Sequence, residues 1–140
     1  MKLTPLGIDG AWLAESPVWR DDRGFFWEWF KLKDLKEVTG RAFEIEQANI
    51  SMSAKGTLRG IHYSIASRGQ AKWITCVSGS IQDVIVDIRP LSKTFGQWID
   101  VELEGVRNYS LSKVAEADGT YYSTSENSCG VFWDSIGVKV

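Results

Sequence analysis

A chain of 140 residues with 44% hydrophobic and 24% charged side chains is long enough to bury one core, and it reads as a single domain over 1–140. Its net charge of −2 carries no basic excess, which argues against a nucleic-acid partner. No apolar run reaches the length of a membrane span, and Met1-Lys2-Leu3-Thr4-Pro5 lacks signal-peptide character, so the expectation is a cytoplasmic protein with no membrane partner.

In chain order, Asp21-Asp22-Arg23-Gly24 reads as a turn, followed by an aromatic strand over Phe25 to Phe30. Leu32, Leu35 and Val38 recur at helical spacing, so a short helix is expected from Lys31 to Val38, with Gly40 as its stop. After it the chain reads as strands: Phe43 to Ile50, Thr57 to Ser64, Ala71 to Ser78, a turn at Gly79, then Ile81 to Ile88 closed by Pro90. A last clean alternation runs from Gly96 to Glu104 and stops at Gly105. Short strands punctuated by glycine predict an all-β sandwich or barrel.

Period 2 sorts the polar residues by face. Gln47 and Asn49 share one face. In a regular strand Arg59, Ile61 and Tyr63 lie opposite Leu58, Gly60 and His62. Asp83, Ile85 and Asp87 share a face opposite Val84, Val86 and Ile88. The pattern does not say which face is inside.

His62 is the only histidine, set in Lys55-Gly56-Thr57-Leu58-Arg59-Gly60-Ile61-His62-Tyr63. Histidine is the side chain that ionises nearest neutral pH, so a lone one beside two cations is a candidate general base. The plainer alternative is a histidine satisfied within a strand. One histidine with two separated cysteines, Cys76 and Cys129, cannot supply a usual transition-metal site, so no metal is expected. Cys76, in an apolar run, is expected to be a buried free thiol.

Several motifs in order carry a resemblance. Asp22-Arg23-Gly24-Phe25-Phe26, Gln47-Ala48-Asn49-Ile50-Ser51, the segment around His62, Gln70-Ala71-Lys72, Asp83 to Arg89, and Ser92-Lys93-Thr94-Phe95-Gly96-Gln97-Trp98 together resemble the dTDP-4-dehydrorhamnose 3,5-epimerase family over roughly residues 5 to 104. That resemblance implies a cupin-type jelly roll with a short N-terminal helix, a homodimer, no cofactor, and dTDP-4-dehydro-6-deoxyglucose as substrate. It implies an epimerase that inverts C3 and/or C5 in deoxysugar biosynthesis.

By position, His62 matches the family's proton acceptor and Lys72 the lysine near the 4-keto oxygen. Arg23, Glu28, Gln47, Asn49 and Arg59 match residues that hold the nucleotide and diphosphate. Phe25, Phe26 or Trp27 offers a ring for the thymine, with Phe26 the candidate substrate-binding residue among them. The chemistry agrees: a hydrogen alpha to a ketone leaves only if a base takes it and the enolate oxygen is stabilised. Arginine forks suit a diphosphate.

Beyond Glu104 the resemblance weakens. The stretch 106–115 holds no histidine, and the C-terminal part looks shortened, as if by an internal deletion that leaves a sheet edge to be paired across a dimer. Tyr122 aligns in two ways. After an acidic turn at 116–119 it is the proton donor; in the other register it is a base-stacking residue. Two further functions stay open: a keto-isomerase acting on the same substrate, and a non-catalytic sugar-nucleotide-binding paralogue.

Overall fold

The computed structural model describes residues 1–40, 44–45, 47–63, 71–105, 109–116 and 120–137, the last two stretches through their backbone. These form ten strands and one helix among the described residues: β1 (Lys2–Pro5), β2 (Ala11–Asp21), β3 (Gly24–Trp27), α1 (Leu32–Thr39), β4 (Glu44–Ile45), β5 (Asn49–Ser53), β6 (Thr57–His62), β7 (Ala71–Val86), β8 (Trp98–Glu104), β9 (Tyr109–Glu116) and β10 (Thr120–Gly137). No helix among them is long and apolar enough to cross a membrane.

The helix starts and ends one residue later than its spacing predicts. Gly40 caps it in the left-handed region at φ 71°, donating its N–H to the Lys36 carbonyl at 2.9 Å. Leu35 is the side chain it buries, against Trp73, Ala71 and Ala14.

Three expectations are corrected. The aromatic strand ends at Trp27, because its partner β2 offers Val18 as the last paired residue, opposite Trp27. The strand expected from Phe43 to Ile50 is broken into β4 and β5; its first residue, like residue 64 at the end of the next predicted strand, lies outside the described residues. Gly79 does not reverse the chain. It sits inside the 16-residue β7 at φ 79°, where glycine adopts a left-handed conformation at little cost and the strand bends instead of turning back.

That bend organises the molecule. β7 and β10 pair along nearly their whole lengths, with register shifts between Glu126 and Gly130. On one side of the bend the order is β1-β2-β9-β7-β10, with β4 and β5 on the outer edge of β10; on the other it is β8-β7-β10-β6. Ile74 and Cys76 from the first half of β7 share one buried cluster with Ile81, Ile85 and Leu103 from the second half, joined by Ile8 and Ala11. The far ends of the two halves also meet. A Cβ on Gly7 would lie 3.9 Å from Ile99, and Arg89 donates to the Asp9 carbonyl at 3.0 Å. The chain is thus two sheets laid face to face on an apolar interior, with α1 covering the outer side of the first. Cys76 lies in that interior, its thiol donating to the Ser78 carbonyl at 3.3 Å and the Gly79 carbonyl at 3.4 Å.

The turn between β7 and β8 is locked by Asp87, whose side chain is fully buried. Arg89 donates from Nε at 2.9 Å and Nη2 at 2.8 Å, and the Ser92 and Thr94 hydroxyls and the Arg89 backbone N–H donate to the same carboxylate. The Arg89 guanidinium holds the Asp87 carboxyl well below the usual carboxylate range; burial opposes it, and the other donors add to the lowering. A group with a depressed folded pKa stabilises the fold above its unfolded value of about 4 and loses that contribution as pH falls through the folded one. Asp87→Ala removes the carboxylate on which Arg89, Ser92 and Thr94 converge and is expected to cost about 3 kcal/mol, the lower end for a broken buried pair because Arg89 keeps the Asp9 carbonyl. Urea melts at neutral pH check this. The gap to wild type is expected to narrow in strong acid, and a gap independent of pH would count against it.

Candidate functional site

The polar residues are placed by ladder registers. Cross-strand partners in an antiparallel pair share a face. His62 stands opposite position 121 of β10 and Arg59 opposite position 123, so two residues of β6, Gly60 and Ile61, oppose one residue of β10. This is a β-bulge, and Gly60 takes it at φ 121°. The extra residue resets the alternation. Arg59 and His62, three apart, therefore share a face, which corrects the expectation of opposite faces in a regular strand.

The shared face is the inner one. Position 121 is also the partner of Ile85 and position 123 of Asp83, and Ile85 belongs to the apolar interior. In the other sheet Asn49 pairs with position 132, whose second neighbour is the core residue Ile74. Lys72, two residues before Ile74, shares that face and pairs with position 134. Gln47, two residues before Asn49, is tied to it through their side chains. Gln47, Asn49, Arg59, His62 and Lys72 thus line the inner faces of two opposed sheets, near the edge formed by β4, β5 and β6.

The local contacts fit this mouth. Gln47 Nε2 donates to Asn49 Oδ1 at 3.1 Å, and Arg59 Nε donates to Ser53 Oγ at 2.8 Å. Arg59, His62 and Gln47 are exposed, whereas Asn49 and Lys72 are half-buried. Ser53, a partner of Arg59, carries no motif signal and was not legible in the sequence.

Arg23, Phe26 and Glu28 lie elsewhere. β3 has β2 as its strand neighbour, and the two form a hairpin beyond the main sheets. Arg23, whose side chain is 90% exposed, is bound to Asp21 through its backbone N–H at 2.9 Å and Nε at 3.1 Å. That side-chain bond lowers the Asp21 pKa and raises that of Arg23. So exposed a pair adds little stability. Exposed Phe26 packs on Trp19 with ring centroids 5.8 Å apart, and Glu28 Oε1 lies 3.3 Å from Lys31 Nζ. Tyr122 is opposite Val84, while its neighbour Tyr121 is the register partner of His62. The acidic turn expected before them lies, at 117–119, outside the described residues.

An imidazole, an ammonium and a guanidinium around one polar mouth suit an anionic carbonyl substrate that gives up a proton. A family model described as dTDP-4-dehydrorhamnose 3,5-epimerase matches residues 5–133, and the chain belongs to that family of isomerases. It is 38% identical over 133 residues to a dTDP-4-dehydro-6-deoxyglucose 3-epimerase of Streptomyces bikiniensis, covering 95% of this chain and 68% of that one. It is 46% identical over 104 residues to a dTDP-4-dehydrorhamnose 3,5-epimerase of Mycolicibacterium smegmatis, covering 74% of this chain and about half, 52%, of that one. Among solved structures it resembles ChmJ, a 3'-monoepimerase from Streptomyces bikiniensis in complex with dTDP-quinovose, with a TM-score of 0.86, 37% identity, and coverage of 95% and 67%.

Proposed function

We propose that this chain, as a single cupin-type jelly-roll domain, is an epimerase that inverts C3 and/or C5 of dTDP-4-dehydro-6-deoxyglucose in deoxysugar biosynthesis. The observation that supports this most is the bulge at Gly60, which turns His62 and Arg59 to the same inner face, with Lys72 on the sheet across from them. His62 takes the proton alpha to the 4-keto group, and the C–H electron pair moves into the enolate. Lys72 stabilises the oxygen that gains the charge. A tyrosine returns a proton on the opposite face of the carbon, which completes inversion. Gln47, Asn49 and Arg59 hold the nucleotide and its diphosphate, the guanidinium by paired hydrogen bonds. Side chains carry every step, without cofactor or metal. The compartment is the cytoplasm, which cell fractionation checks.

Arg23, Phe26 and Glu28 serve the same substrate from a second copy. Their hairpin stands apart from the mouth within one chain, and the outer face of β5 and β6 exposes Ile50, Met52 and Leu58. A homodimer explains both. A stable monomer in sedimentation at micromolar concentration would remove this part of the proposal.

Deuterium exchange from heavy water tests the reaction. Exchange at C3, C5 or both, with epimer formed, is expected. Tight dTDP binding without exchange would make the chain a binding paralogue. The family match offers Tyr122 as the donor, but Tyr122 pairs with Val84 on the opposite face, so the donor is assigned to Tyr121, the register partner of His62, with Tyr122 as its rival. Tyr121→Phe is expected to keep exchange yet impair net inversion, because base and acid act on opposite faces of the reacting carbon. An unchanged ratio of exchange to epimer in this variant, with a changed one in Tyr122→Phe, would move the role to Tyr122.

A further inference from the structure

Ser53 is the last residue of β5, and Arg59 is tied to it: Arg59 Nε donates to Ser53 Oγ at 2.8 Å. The proposed reaction gives this serine no role. Its place follows from the strand that carries it. Along β5 the half-buried side is Asn49, Ser51 and Ser53, while Ile50 and Met52 are exposed, so Ser53 shares the side of the candidate nucleotide ligand Asn49. After Ser53 the chain makes a tight turn, in which the Thr57 N–H donates to the Ala54 carbonyl at 3.2 Å and Gly56 takes φ 79°. It then continues as β6. Both strands pair with β10, β5 at positions 128–132 and β6 at positions 121–125, on either side of its register shifts. The bond from Arg59 to Ser53 therefore joins the edge strands of the two opposed sheets, at the edge where the mouth opens.

A guanidinium presents its donors along two kinds of edge. Nε and one terminal nitrogen form the side; the two terminal nitrogens form the end. Either edge can grip a phosphate by paired hydrogen bonds. Ser53 engages Nε, so the side edge is occupied and the end edge is the one left to face a ligand. Arg59 is exposed. An exposed arginine with no anchor samples many rotamers, and a ligand that needs one of them bears the cost of ordering it. A bond already formed at Nε removes part of that cost before the ligand arrives.

We propose that Ser53 is a positioning residue of this site: by holding Arg59 at Nε it presents the end of the guanidinium to the diphosphate. The inference rests on the proposed nucleotide-sugar reading and adds a residue to it. Ser53 acts through Arg59 alone. That separates it from a serine that touches the phosphate itself, and from one that only secures the turn after β5.

The test is calorimetric titration of dTDP into the full chain, its Ser53→Ala and Arg59→Ala variants, and the double variant. Ser53→Ala is expected to weaken dTDP binding by roughly fivefold, the scale of one hydrogen bond. In the Arg59→Ala background the same change is expected to add no further loss. Ser53→Thr keeps the hydroxyl on a side chain that suits a strand, and it is expected to restore most of the affinity. In turnover the loss is expected in KM rather than in kcat, because the diphosphate is held alike in the ground state and the transition state. Undiminished binding by Ser53→Ala, an equal loss with Arg59 already gone, or a loss in Ser53→Thr as large as in Ser53→Ala would each overturn the proposal. If Ser53→Ala loses its cooperative melt, Ser53→Thr against Ser53→Val, one shape with and without the hydroxyl, carries the same comparison. Failure of the wild-type chain to bind dTDP would overturn the nucleotide-sugar reading itself, and this inference with it. Wild-type binding without coupling between Ser53 and Arg59 would overturn this inference alone.

Discussion

Replacing His62 with asparagine is expected to abolish solvent exchange at C3 and C5 of the substrate while dTDP still binds. A positioned general base contributes about 10²–10⁴ in rate, and the reaction has no route to the enolate without one. No other histidine is present in the chain to substitute for it. The nucleotide should be little affected, because its candidate ligands Gln47, Asn49 and Arg59 lie on other positions of the mouth. The fold should be little affected as well, since His62 is exposed and lies outside both apolar clusters. The two readings of this histidine therefore separate cleanly. A structural histidine would lower the melting temperature and leave exchange in whatever protein remained folded. Substantial exchange by a well-folded His62→Asn would remove it as the base.

Most of this was legible in the sequence, for identifiable reasons. Strands of period 2 separated by glycines gave an all-β chain, and three apolar residues at helical spacing before Gly40 gave α1. The residues of the mouth were legible as types: a lone histidine, one arginine near it, and a lysine at the start of an apolar run. Their faces were not. A strict period-2 reading puts Arg59 and His62 on opposite sides, because periodicity assumes one residue per ladder position. A glycine inside a strand is the available signal for an exception, and Gly60 is one. Gly79 misled in the other direction. It looks like the turn of a hairpin, yet β10 pairs across both halves of β7 and keeps them in one strand.

Asp83 and Asp87 show a second limit. Both alternate in phase along the same segment, and both are buried. Asp83 is in β7, on the inner face. Asp87 lies beyond the strand end, where Arg89, Ser92 and Thr94 converge on it from the following turn. A local pattern does not record that convergence, because it depends on where the chain returns. The Arg23 hairpin is a third case. The family resemblance groups Arg23, Phe26 and Glu28 with the other nucleotide ligands, whereas the chain topology sets them on or beside a separate two-stranded arm.

Lys72→Ala is the second substitution expected to act strongly, and its effect should fall on turnover. Lys72 stands in the row that runs from Ala11 through position 115 and across β10, on the same face as Ile74. It is half-buried, where a charge is less screened than at the surface. An ammonium held beside a carbonyl oxygen binds the ground state weakly and the enolate strongly, because charge develops on that oxygen only as the proton leaves. The loss on truncation is expected to be about 3 kcal/mol, near 10² in rate, with dTDP affinity within a few-fold of wild type. Exchange and inversion should fall together, since both pass through the same enolate, which sets this variant apart from Tyr121→Phe. Lys72→Arg is a useful companion, because it keeps the charge but replaces a compact ammonium with a planar fork. If Lys72→Ala instead weakened dTDP binding and left the rate at saturation unchanged, the lysine would be a ligand of the diphosphate. The enolate would then need its stabilising charge from another residue of the mouth.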